Sequence, residues 1–171
     1  MKFSKNLTLA NTLTIGNLVC GALAIIVASF NVYHAAFLVF AGFFFDVLDG
    51  FVARKMKTVS AFGKELDSLA DIVTFGVAPV VIAHVLVPNN WLLVGAVFYL
   101  VAAGWRLARH NVLKKTSFLG LPAPAAALIL LAAVFFINGI LIVGRPPVFF
   151  FIELVLAILM VSTIKIPKVT A

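Results

Sequence analysis

Long apolar runs broken by short polar turns dominate the chain, and their length carries the first reading. Stretches 12–30, 35–54, 69–86, 91–107, 121–137 and 148–164 are apolar nearly throughout. About 18 residues of helix, at ~1.5 Å each, are enough to cross the roughly 30 Å of a bilayer's hydrocarbon core. The pattern predicts an all-α polytopic membrane protein of six transmembrane helices in one bundle, with ends placed to about four residues. No low-complexity tract, long linker or repeat divides 1–171, so one membrane domain is expected. Lys2 and Lys5 precede the first run, but no small-residue cleavage site leads into a soluble domain. That run is therefore expected to stay as a membrane helix.

Composition strengthens this reading: 64% of residues are apolar, 11% are charged and the mean hydropathy is +1.19. A soluble globular domain is excluded on those values. The net charge of +7 would suggest nucleic acid in a soluble chain, but here its placement gives another explanation. With six spans, Lys2, Lys5, Arg54, Lys55, Lys57, Lys64, Arg106, Arg109, Lys114, Lys115, Lys165 and Lys168 fall on one face, and Arg145 on the other. The positive-inside rule makes the crowded face cytoplasmic, with both termini there. Such a face attracts anionic headgroups and an anionic substrate, so no nucleic-acid partner is expected. Cys20, the single cysteine, is read as a small packing residue. Trp91 and Trp105 near span ends suit an interfacial belt.

The acids are unevenly spread. Asp46, Asp49, Glu65, Asp67 and Asp71 lie between the end of the second run and the start of the third, and Glu153 stands alone later. Asp46, Asp49, Gly50, Ala53 and Arg54 follow a helical rhythm that places them on one stripe, and Asp67 and Asp71 are one turn apart. Four unpaired carboxylates at this depth would each cost several kcal/mol, so they must face a wet cavity, a cation or both. Oxygen ligands of this kind suit Mg2+ or Mn2+, and two metals fit four carboxylates. Metals bridging phosphate oxygens would neutralise charge as a pyrophosphate breaks, leaving one carboxylate to take a hydroxyl proton. Salt bridges to Arg54, Lys55 and Lys64 are the plainer alternative, but those side chains can snorkel to water without buried acids.

Asp46-Val-Leu-Asp49-Gly50-Phe-Val-Ala53-Arg54, eight residues, then Gly63-Lys-Glu-Leu-Asp67-Ser-Leu-Ala-Asp71 resembles the signature of the CDP-alcohol phosphotransferase family at every specified position. The resemblance implies a six-helix membrane fold, a homodimer, a binuclear metal site at the cytoplasmic face and CMP as leaving group. By position it implies Asp46, Asp49, Asp67 and Asp71 as metal ligands, with Asp71 also the general base. It places Asp49, Gly50, Ala53, Arg54, Ser60 and Gly63 against the CDP group. The opening Asn11-Thr-Leu-Thr14-Ile-Gly-Asn17 adds Asn11, Thr14 and Asn17 to those contacts, although Ala10 stands where a proline often precedes the asparagine. Arg54 also has a physical role, since a guanidinium can hold a diphosphate oxygen in fixed geometry.

The acceptor has to be read outside that signature. The stretch from Glu65 to Pro79, Arg106-Leu-Ala-Arg109-His110-Asn111 and Phe118-Leu-Gly120-Leu-Pro122-Ala-Pro124-Ala resemble the phosphatidylserine synthase branch. L-serine is the acceptor this implies, with CDP-diacylglycerol or CDP-archaeol as donor, since either lipid needs only an apolar groove. Serine's carboxylate needs a cation beside the acids, and Arg106 or Arg109 can bind it bidentately. Ser68 and Thr74 are candidates for the rest of the amino acid, though small hydroxyls in membrane helices often bond to backbone. The same fold with inositol phosphate or glycerol phosphate as acceptor is the nearest alternative. A cation or proton transporter would spread its acids through the membrane depth, whereas these gather towards one face.

Overall fold

The computed structural model describes residues 8–112, 118–140 and 146–166. Lys2, Lys5, Lys114, Lys115, Arg145 and Lys168 of the charge pattern lie outside them. Among the described residues the regular structure is helical except for one two-residue ladder. The helices are α1 (Leu9–Ala28), α2 (Val32–Lys55), α3 (Ala61–Asp71), a π-helical turn (Ile72–Val77), α4 (Ala78–Leu86), α5 (Asn90–Val112), α6 (Ala123–Ile140) and α7 (Pro146–Val161). Strands β1 (Phe118–Leu119) and β2 (Lys165–Ile166) pair antiparallel, Phe118 opposite Ile166.

Polar residues start the helices where the apolar runs begin. Thr8 Oγ1 accepts from the Asn11 amide at 3.2 Å, Asn31 Oδ1 from Tyr33 and His34 at 3.0 and 3.1 Å, and Ser60 Oγ from Gly63 at 3.0 Å. Each satisfies amides that have no partner in a first helical turn. The Ser60 cap starts the third helix at Ala61, so the span expected over 69–86 begins earlier and carries Asp67 and Asp71 on one continuous rod. At the other end of α2, Thr58 N donates to Ala53 O and Lys57 N to Arg54 O. This is a Schellman closure with Lys57 at φ 54° in the position glycine usually takes.

Four helical stretches are long and apolar enough to cross a membrane: Leu9–Ala28, Val32–Lys55, Ala61–Leu86 and Asn90–Val112. The last two apolar runs form the shorter helices α6 and α7. Large apolar side chains such as Phe37, Phe44, Phe98, Val101 and Phe151 face outward, as suits a hydrocarbon solvent rather than water.

The α3–π–α4 rod is the most buried of the four long stretches. One apolar cluster joins α1, α2, the π turn, α4 and α6 through Ala24, Val39, Phe75, Ile82 and Ala127; another joins α4 to α7 through Val80, Leu92, Tyr99, Leu130 and Phe149. Close approach depends on glycine. A Cβ on Gly21 would lie 2.8 Å from Thr74 Cα, and one on Gly42 would lie 2.7 Å from Thr74 Cγ2. Pro79, near the start of α4, has no N–H to offer the carbonyl four residues back. Tyr99 Oη of α5 donates to that carbonyl, Phe75 O, at 3.1 Å. The π turn thus sits where the regular ladder is interrupted, and a neighbouring helix supplies the missing donor.

Candidate active site

The last two turns of α2, the start of α3 and the start of α1 enclose an open cleft of about 240 Å3. Asn11, Thr14, Asp49, Gly50, Ala53, Arg54, Ser60, Gly63 and Asp67 line it. These come from three helices, and each faces the cleft for a local reason. Asp49, Gly50 and Ala53 share the inner stripe of α2. Gly63 is small because a Cβ there would lie 2.8 Å from Asn11 Oδ1. Ser60 is committed by its hydroxyl to capping α3. Thr14 Oγ1 donates to Asp49 Oδ2 at 2.5 Å, fixing α1 against α2 at the cleft floor, and also lies 3.1 Å from Ala10 O one turn back.

The carboxylates form a row leading inward from that floor. Asp46, Asp49 and Asp67 each offer an oxygen, all within 4.8 Å of one another. Asp67 Oδ1 is buried without a partner. Asp71 follows, buried at 7% exposure and in electrostatic contact with Asp46, Asp67, Asp49 and Arg106. Several acids brought together with a buried acceptor unpartnered is an arrangement that repels itself unless a cation joins it. An all-oxygen donor set fits a hard divalent ion.

This cleft and row are assembled from the signature residues, and the whole chain carries the same likeness: residues 7–164 match the CDP-alcohol phosphatidyltransferase family. The chain belongs to that family. It is 39% identical to the CDP-diacylglycerol–serine O-phosphatidyltransferase of Methanocaldococcus jannaschii over 164 residues, covering 96% of this chain and 76% of the relative. Its likeness to the enzyme of that name from Bacillus subtilis is 39% over 162 residues, covering 91% and 87%. The archaetidylserine synthase of Methanothermobacter thermautotrophicus is 34% identical over 176 residues, covering 98% and 73%. With four helices of membrane-crossing length, the chain is an integral membrane transferase of this family.

Within this family member the structure sorts the remaining candidates. Arg106 of α5 is 8% exposed, interacts electrostatically with Asp71 and Asp46, and has its Nε unpartnered. Arg109 is directed elsewhere. Its guanidinium donates to Val161 O at 2.8 Å, Ser162 O at 3.1 Å and Met160 O at 3.3 Å, closing the carbonyl end of α7. In this structure it serves as a cap on that helix end. Thr74 is fully buried, and its hydroxyl donates to Asn17 O at 3.0 Å. Ser68 donates to Lys64 O at 3.2 Å and accepts from Asn111 Nδ2 at 2.9 Å, so it links α3 to α5. Asn17 is fully buried and absent from the cleft lining; it donates to Asp71 instead.

Thr58, Val59 and Lys64 also line the cleft and were missed in the sequence. Thr58 Oγ1 is buried there without a partner. Its only signal was its place in the eight-residue spacer between Arg54 and Gly63, where the signature specifies nothing.

Proposed function

We propose that the chain transfers the phosphatidyl group of a CDP-activated lipid, CDP-diacylglycerol or CDP-archaeol, to the hydroxyl of L-serine and releases CMP. The observation supporting this reading is that Arg54, Asp49 and Asp67 line one cleft, while buried Asp71 and Arg106 interact electrostatically with each other and with Asp46 of the same acid cluster. The printed names of the relatives, serine and archaetidylserine enzymes, support the same acceptor.

The CDP group lies in the cleft against Gly50, Ala53 and Gly63, where small residues leave room for a nucleotide beside backbone. Arg54 holds a diphosphate oxygen. Asp46, Asp49, Asp67 and Asp71 would hold two ions of Mg2+ or Mn2+, which when bound neutralise the diphosphate and the departing phosphate of CMP. Arg106 pairs with the serine carboxylate and so brings the hydroxyl beside Asp71. Asp71 takes the hydroxyl proton as the serine oxygen bonds to the lipid-linked phosphorus and the bond from that phosphorus to the CMP oxygen breaks. A phosphorylated acceptor would need several cations at the inner end, but Arg109 is engaged with α7. The six apolar helices form one domain and all cross the membrane, with the site and both termini on the basic cytoplasmic side. Two copies form a homodimer, as the family resemblance implies.

Purified protein with CDP-diacylglycerol, or CDP-archaeol, and Mg2+ or Mn2+ should release CMP when given serine. Inositol phosphate and glycerol phosphate should not support release. CMP release with one of those acceptors and not with serine would overturn the serine reading while keeping the reaction class.

A further inference from the structure

Asn17 lies one turn deeper in α1 than Thr14 and is 0% exposed. Its side chain and its backbone both reach the same short stretch of the central rod. Asn17 Nδ2 donates to Asp71 Oδ1 at 3.3 Å, and Asn17 O accepts from Thr74 Oγ1 at 3.0 Å. Asp71 and Thr74 flank the junction at which α3 gives way to the π turn. The amide has little freedom to move away, since a Cβ on Gly42 would lie 2.9 Å from Asn17 Oδ1. Gly21 in turn holds Thr74 close, where a Cβ would meet its Cα at 2.8 Å. A two-point hold on a helix interruption fixes a side chain that would otherwise rotate about its own bonds.

We infer that Asn17 is a positioning residue: by donating to Oδ1 it stops rotation of the Asp71 carboxylate and sets the direction in which Asp71 receives the acceptor proton. This rests on the proposed role of Asp71 as base. It replaces the nucleotide contact implied for Asn17 by its place in the opening segment, because a buried side chain behind the acids does not reach the cleft. The two roles have opposite kinetic signatures. A nucleotide contact holds the substrate, so its loss raises KM and weakens CMP binding. A positioning residue acts on the reacting geometry, so its loss lowers kcat with binding retained.

The test compares Asn17→Ala, Thr74→Val and Asp71→Asn with the wild type. It reads kcat, KM for CDP-diacylglycerol, the Kd of CMP with Mg2+, and thermal unfolding in detergent. Asn17→Ala should lower kcat by about 10–100-fold, the usual loss for partners behind a reacting group. Its KM and CMP Kd should stay within about twofold of wild type. Thr74→Val keeps the Asn17 side chain but frees its carbonyl, and should lower kcat by roughly threefold at unchanged KM. A raised KM and CMP Kd at wild-type kcat in Asn17→Ala would return the residue to the nucleotide. Wild-type kcat in Asn17→Ala would also overturn the inference. Should Asn17→Ala not fold, Thr74→Val decides, and an unchanged kcat in that folded variant refutes it. Asp71→Asn separates this inference from its premise. Activity retained there removes the base role and the inference with it, whereas an inactive Asp71→Asn beside a fully active Asn17→Ala removes the positioning role alone.

Discussion

Gly50→Ala adds one methyl at the point where the cleft wall is barest. Gly50 sits within α2, five residues before its end at Lys55. A Cβ there would meet Arg54 Nη1 at 3.7 Å and Nη2 at 4.0 Å, ordinary contacts with the far end of a flexible side chain. Packing therefore gives no reason for glycine, unlike Gly21 or Gly42. Helical propensity argues against it, since glycine inside a helix costs about 0.5–1 kcal/mol relative to alanine. The residue is explained if a ligand lies on the backbone there. The variant should then unfold about 1–4 °C higher in detergent while kcat/KM for CDP-diacylglycerol falls at least about tenfold, ~1.4 kcal/mol. A nucleotide pushed outward by a methyl moves its phosphorus off the acceptor's line of approach, where even ~1 Å can cost about a hundredfold. CMP release against lipid concentration and a thermal scan measure the two effects on one preparation. Full activity with raised stability would show that no ligand rests on Gly50; lowered stability would show that the packing argument is wrong.

Gly21→Ala should destabilise by about 1–3 kcal/mol or more, because the methyl would meet Thr74 backbone; unfolding at the wild-type temperature would mean that α1 can shift without cost. Lys57→Gly removes a side chain held at φ 54° and should raise stability by roughly 0.5–1 kcal/mol in the same scan; a fall would show that the lysine side chain outweighs its backbone strain. Glu153 is fully buried with both carboxyl oxygens unpartnered, so Glu153→Met should stabilise by about 1–3 kcal/mol; a lower unfolding temperature would reveal a partner that matters for folding. Treatment with a chelator should stop CMP release, and Mg2+ or Mn2+ should restore it; turnover that survives exhaustive chelation would remove the metal from the reaction.

Much of this was legible along the chain because it depends on local quantities. Run length and composition marked out the apolar helices, since crossing a bilayer is additive in residues and needs no knowledge of neighbours. Spacing put Asp46, Asp49, Gly50 and Ala53 on one stripe and Asp67 above Asp71, because a helix fixes which residues share a face. The capping role of Ser60 and the π turn before Pro79 were not read, although a serine before an apolar helix and a proline within one are both local signals.

The tertiary structure decided which polar side chains face the chemistry and which hold the scaffold. Arg106 and Arg109 are three residues apart and look alike in sequence, yet one is buried in the electrostatic field of Asp71 and the other closes α7. Thr14 and Asn17 are equally close along α1, but one sits at the cleft floor and the other behind the acids. Their partners, Asp49 and Asp71, are 35 and 54 residues away. Such pairings depend on how closely the helices approach, and here Gly21, Gly42 and Gly63 set that distance. The sequence alone thus determined the solvent, the helices and the set of reactive groups. Only the packed helices could assign each group a partner, because a hydrogen bond is decided within a few tenths of an ångström by backbones far apart in the chain.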